Sequence, residues 1–168
     1  MRNIIAIMIL SMALALTGCA TKKKKPAVSE QLAAVDNISD LDVEINADSD
    51  SGKAGLLQTV YFDFNSSQLT SSARAALKDN AEFLKKFKQV DVQIEGHCDE
   101  RGGVQYNIAL GEKRANSIRG YLSNIGIASS RITTVTFGKE RPIEFGHDES
   151  SWSKNRRGNF VITAISAR

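Results

Sequence analysis

Val90-Asp91-Val92-Gln93-Ile94-Glu95 is the stretch from which the fold can be read. Three β-branched aliphatics alternate with three polar residues, a period of two that gives a strand one apolar and one polar face. Toward the C-terminus, Gly96 to Gly103 reads as a turn. Beyond it Val104, Ile108, Gly111, Ala115, Ile118 and Leu122 recur at spacings of four and three, which predicts an amphipathic helix, and Gly126 is placed to stop it. Toward the N-terminus, Ala73, Leu77, Leu84 and Phe87, with Ala76 and Ala81 beside them, predict an earlier helix of about four turns. Thr70 or Ser71 would cap it, and Arg74, Lys78, Lys85 and Lys86 form its outer face. Leu57 to Phe64 reads as a first strand, with Val60, Phe62 and Phe64 on one face and Tyr61 and Asp63 on the other. Ile132 to Phe137 reads as a third strand, Ser150 to Asn155 as a short helix and Asn159 to Ile165 as the last strand. The order strand, helix, strand, helix, strand, short helix, strand predicts a two-layer α/β (α+β) domain with helices over one four-stranded mixed sheet.

The 168 residues suffice for one ordinary domain plus extensions, and 42% hydrophobic with 24% charged residues is a globular composition. The net charge of +3 is unevenly spread. Residues 26 to 58 hold seven acids against Lys53 alone, whereas residues 59 to 168 hold sixteen bases and twelve acids, about +4. Those bases are interspersed with acids and form no aromatic-interleaved stripe, which argues against a nucleic-acid partner.

Met1-Arg2-Asn3 and the apolar run Ile4 to Leu16 read as a secretory signal, too short for a membrane-spanning helix of ~20 apolar residues. Leu16-Thr17-Gly18-Cys19 resembles the lipobox of bacterial lipoproteins, which makes residues 1–18 a signal peptide and Cys19 the lipidated first residue of the mature chain. Two or three acyl chains would hold it stably in a membrane. Ala20, where an aspartate would retain enteric lipoproteins, implies the outer membrane. Lys22 to Lys25 either meets anionic headgroups or begins a solvated tether. Residues 19–57 read as a lipidated N-terminus and flexible tether, rich in Ala, Ser, Asp and Asn, with a coil reach of ~30 Å. The folded domain is then residues 58–168.

Four stretches carry a family resemblance: Tyr61-Phe62-Asp63-Phe64-Asn65, Glu95-Gly96-His97-Cys98-Asp99-Glu100-Arg101-Gly102, Asn107 to Asn116, and Asn155-Arg156-Arg157. They resemble the OmpA-like peptidoglycan-binding domain family. Gly138 to Pro142, Gly146 to Glu149 and Trp152 bring the chain nearer to the lipid-anchored members that work with the Tol proteins. The resemblance spans roughly Val60 to Ile165. It implies non-covalent binding of the diaminopimelate residue of the peptidoglycan stem peptide, which presents an ammonium and carboxylates. Asp99 would accept from the ammonium, and Arg114 would hold a carboxylate through two parallel N–H bonds. Phe64, Asn65, Asn107 and Leu110 would support them, with Asn107, Leu110 and Arg114 at i, i+3 and i+7 on one helix face. Asn65 stands where relatives often have an aspartate. The resemblance further implies a role in envelope integrity and cell division, with periplasmic TolB, and other Tol proteins, as partners.

Other readings stand beside these. Asp99 can cap the following helix or pair with Arg101, Arg114 can be a solvated helix charge, and Asn155-Arg156-Arg157 can tie the last helix to the sheet. His97, Cys98, Asp99 and Glu100 are adjacent rather than at zinc-ligand spacings, so neither a metal nor another cofactor is expected. Cys98 reads as a small buried residue. No catalytic triad or phosphate-binding glycine loop is present, so no enzyme is expected. Two alternatives remain, a protein-interaction module bound mainly to TolB-like partners and a hydrolase using His97 or Glu100.

Overall fold

The alternation in strand β2 (Val90–His97) is carried into three dimensions, for Val90, Val92 and Ile94 are fully buried while Asp91, Gln93 and Glu95 are not. The computed structural model describes residues 28–41 and 43–166. The signal segment, Cys19 and the Lys22 to Lys25 run lie outside them.

Helix α1 (Val28–Ala33) precedes strand β1 (Val60–Tyr61), helix α2 (Ser71–Lys86) and β2; helix α3 (Val104–Asn124), strand β3 (Ile132–Gly138), helix α4 (Glu149–Asn155) and strand β4 (Arg157–Ile165) follow. The sheet order is β1-β4-β2-β3, with β2 and β3 parallel and β4 antiparallel to β1 and β2. The sheet is therefore mixed, as expected, and α3 makes the crossover that a parallel pair needs.

Thr70 caps α2 by accepting from the Ala73 N–H at 3.1 Å. Gly126 ends α3 at φ +98°, and the Ile127 N–H returns to the Leu122 carbonyl at 3.0 Å, a Schellman closure. Leu77, Phe83 and Leu84 of α2 and Ala115, Ile118 and Leu122 of α3 close over Phe160 and Ile162 of β4, all fully buried. Helix α3 crosses β2 where two glycines meet. A Cβ on Gly96 would stand 1.9 Å from the Gly111 carbonyl oxygen, so no side chain fits there.

Two expectations need correction. The first strand is two residues long rather than eight, because the chain leaves the sheet after the Phe62 N–H donates to the Arg156 carbonyl at 2.9 Å. Asn65 then turns it through a left-handed conformation, φ +54°, so Phe64 is 59% exposed instead of joining Val60 and Phe62 in the core. The tether also ends sooner than residue 57. The Asn46 N–H donates to the Ile162 carbonyl (2.8 Å), the Ile162 N–H to the Ala47 carbonyl (2.9 Å) and the Ser49 N–H to the Phe160 carbonyl (2.9 Å), so this segment continues the edge that β1 begins. Ala54 and Leu57 are buried behind it, and Leu32 of α1 is buried with its carbonyl accepting from Lys86 Nζ at 2.6 Å. Polar bonds rather than an apolar period hold most of this stretch, and that is why its composition reads as coil.

The polar face of β2 is covered as well. Asn159 Nδ2 donates to Glu95 Oε2 at 3.0 Å, Ser49 Oγ donates to Asn159 Oδ1 at 2.8 Å, and Arg157 Nε donates to Asp50 Oδ2 at 2.7 Å. His97 is 1% exposed and stacks on Phe137, with Nε2 3.5 Å from Glu95 Oε2. Burial lowers the His97 pKa and outweighs the pull of Glu95, so the ring is neutral at pH 7.

Candidate functional site

The glycine contact between β2 and α3 decides where Arg114 falls. One helical turn beyond Gly111, its side chain runs under the C-terminal end of β2 and is fully buried. The guanidinium holds three carbonyls on two chain segments: Nε donates to the Ser66 carbonyl (2.8 Å), Nη1 to the His97 carbonyl (2.8 Å) and Nη2 to the Asp63 carbonyl (3.1 Å). Two of its five N–H groups are left over by these carbonyls, with the Cys98 thiol beside it. No carboxylate lies within 4.0 Å of it among the described residues. Burial lowers its pKa against the weaker pull of Cys98 and Asp99, yet an arginine keeps its proton, so a full positive charge sits without a carboxylate in direct contact. The reading of Arg114 as a solvated helix charge is thereby set aside.

Asp99 follows the strand end and is 4% exposed. Its carboxylate accepts from the Arg101 N–H (3.2 Å), Arg101 Nε (3.3 Å), Arg101 Nη2 (2.6 Å) and Arg156 Nη1 (3.3 Å). Burial alone would raise its pKa, but the Arg101 and Arg156 bonds outweigh that and hold the carboxyl below the usual aspartate range. The local pairing with Arg101 is thus real, and all four lone-pair directions of the carboxylate are taken. Arg101 itself lies 4.0 Å above the Phe64 ring and 4.0 Å from the Trp152 ring.

All six expected positions, Phe64, Asn65, Asp99, Asn107, Leu110 and Arg114, line one cavity of about 200 Å³, together with Cys98, Arg101, Gly102 and Tyr106. That is room for a residue-sized group. Asn107 is buried and fastens the rim, its Nδ2 donating to the Arg101 and Gly103 carbonyls at 2.9 and 3.2 Å. Asn65 accepts from the Tyr106 hydroxyl across the mouth. Cys98 is buried, donates to the Asn107 carbonyl at 3.4 Å and has its pKa raised by burial, so it is wall rather than nucleophile.

The sequence reading passed over Tyr106 and did not place Arg101 in the wall. Tyr106, Leu110 and Arg114 stand at i, i+4 and i+8, so helical spacing alone points to Tyr106. Asn155-Arg156-Arg157 divides between its two readings. Asn155 Oδ1 accepts from the Ile143 N–H at 2.9 Å and Arg157 pairs with Asp50, both ties within the fold, whereas Arg156 reaches Asp99 and pairs with Glu149.

A two-layer domain over a mixed four-stranded sheet, with a buried arginine and a paired carboxylate lining one cavity at the end of that sheet, defines the class. Residues 61–156 match the OmpA family, and the chain belongs to that family and, within it, to the peptidoglycan-associated lipoproteins. It is 37% identical to the peptidoglycan-associated lipoprotein of Mesorhizobium japonicum over 98% of this chain and 93% of that one. It is 45% identical to the one from Pseudomonas aeruginosa over 65% of this chain and 64% of that one. The crystal structure of the peptidoglycan-associated lipoprotein from Burkholderia pseudomallei superposes with a TM-score of 0.60 at 43% identity, covering 62% of this chain and 89% of that chain. No helix among the described residues is long and apolar enough to cross a membrane.

Proposed function

We propose that this protein is an outer-membrane lipoprotein, lipidated on Cys19, whose periplasmic domain binds the diaminopimelate residue of peptidoglycan without covalent linkage. The observation that carries the reading is Arg114, fully buried at the cavity with no carboxylate of its own. A ligand carboxylate would supply a direct counter-ion through the N–H groups that the three carbonyls leave, displacing the weaker contact with the Cys98 thiol. The ligand ammonium would take over Asp99 oxygens by displacing Arg101, whose side chain is 30% exposed. Phe64 and Leu110 would pack the methylenes between the two charged ends. Peptidoglycan is named in the relatives from Mesorhizobium japonicum and Pseudomonas aeruginosa, and the family resemblance extends the proposal to TolB as a protein partner and to envelope integrity at division.

The test is cosedimentation of residues 20–168, the mature chain without its lipidated cysteine, with purified diaminopimelate-type sacculi. Wild type should pellet, and free diaminopimelate should release it without soluble wall fragments appearing. Asp99→Ala, checked for fold by circular dichroism, should bind about tenfold to a hundredfold more weakly, the ~1.5–3 kcal/mol of a charge-assisted bond. Wild type remaining in the supernatant would sink the proposal.

A further inference from the structure

The cavity and the start of the tether lie at different places along the strands, and the chain between them is arranged to take load. This inference rests on the proposed function only for the source of the load, a lipid at one end and the wall at the other. Strand β1 runs directly into Asp63 to Ser66, whose carbonyls hold Arg114 and whose Phe64 and Asn65 line the cavity. A pull on β1 would therefore distort the site at once.

We propose that residues 46–59 are a strain-relief clamp that takes up tension from the N-terminus before it reaches β1. Asn46 to Ser49 pair with β4 at Phe160 to Ile162, whereas the cavity lies beyond Arg157 at the other end of that strand. Five residues at ~3.4 Å separate Ile162 from Arg157, about 17 Å, so the pull runs along the strands. Ladder bonds lie across the strands, and a load along them strains the Asn46, Ile162 and Ser49 bonds together instead of one after another.

Behind this strap the chain stores slack. Thr59 Oγ1 donates to Asp50 Oδ1 at 2.8 Å and Asp50 is fixed to Arg157 at 2.7 Å, which staples the neck of a loop over residues 51–58. Gln58 is then gripped from α2: its N–H donates to Asn80 Oδ1 at 2.7 Å and its carbonyl accepts from Asn80 Nδ2 at 2.8 Å, with Asn80 fully buried. Once α1 is pulled from Lys86, tension must shear the strap, open the neck and break the Asn80 grip before β1 feels it.

The experiment is single-molecule pulling on the mature chain, held by its N-terminus and by a handle at Gly103→Cys, where an added side chain meets open space and buried Cys98 is spared from labelling. Wild type should show a separate early step of about 30 Å, the release of some ten residues at ~3.4 Å each, before the domain ruptures. Ser49→Ala should lower the force of that step at least twofold and leave the rupture force and unloaded sacculus binding unchanged. Asp50→Ala, the harsher change, should abolish the step. Rupture of wild type with no early step, or a step that Ser49→Ala leaves unmoved, would overturn the clamp. The pulling assay contains no peptidoglycan, so its failure is distinct from failure of wall binding, which sedimentation decides.

Discussion

On the helix side of the sheet, Val92, Ile94, Phe160 and Ile162 are fully buried under α2 and α3 by apolar contact alone; on the far side, Glu95, Asn159, Ser49, Asp50 and Arg157 are covered through hydrogen bonds and one ion pair. The apolar side gains ~25 cal/mol per Å² removed from water and tolerates inexact partners. The polar side gains only what its bonds return after desolvation, and each bond has one permitted partner. The first therefore sets which fold forms, and the second sets where the N-terminal segment lies.

The sharpest way to break the apolar side is at its closest approach. Gly96→Ala drives a methyl to 1.9 Å from the Gly111 carbonyl, backbone against backbone, and should cost more than the ~1–3 kcal/mol of ordinary overpacking. Against a typical total of ~5–15 kcal/mol, urea denaturation should show a large fall in midpoint, or no folded protein.

On the polar side, Asp50→Ala strands Arg157, whose side chain is 3% exposed against 11% for Asp50. A loss of about 2–3 kcal/mol is expected, somewhat below the ~3–5 kcal/mol of fully enclosed pairs. Asp50→Leu combined with Arg157→Leu should lose less than Asp50→Ala alone, because no charge is left stranded. A double variant worse than the single one would mean that the pair itself, rather than its desolvation, holds the segment.

The smallest effect separates the faces by pH. The folded-state pKa of His97 is lowered, so the unfolded chain binds a proton first, and stability should fall as pH drops below about 6.5, with a slope under ~1.4 kcal/mol per pH unit. His97→Phe should flatten the slope between pH 6.5 and 5, measured by urea midpoints. A slope that survives would assign the acid sensitivity elsewhere.

The same contrast explains what could be read in advance. The alternation of Val90 to Glu95, the helical repeat to Leu122 and the stop at Gly126 are properties of a covered apolar face, and periodicity reports such a face directly. Residues 46 to 58 carry no period because Asp48, Ser49, Asp50 and Thr59 bond to particular partners over a hundred residues away or across a turn, which spacing cannot encode. The site divides likewise. The six expected cavity residues came from motif resemblance and do share one cavity, whereas the Arg101 bridge between Asp99, Phe64 and Trp152 depends on how two loops meet α4.

Arg114 has one further consequence. Its three carbonyl partners belong to residues 48, 17 and 51 positions away in sequence, on two segments that approach each other only in the finished domain. The cavity thus requires both segments to be in place, and a fragment that lacks either one lacks the seat of the guanidinium. A receptor made this way certifies its own completion, for the chain acquires the ability to grip only when there is a sound body behind the grip.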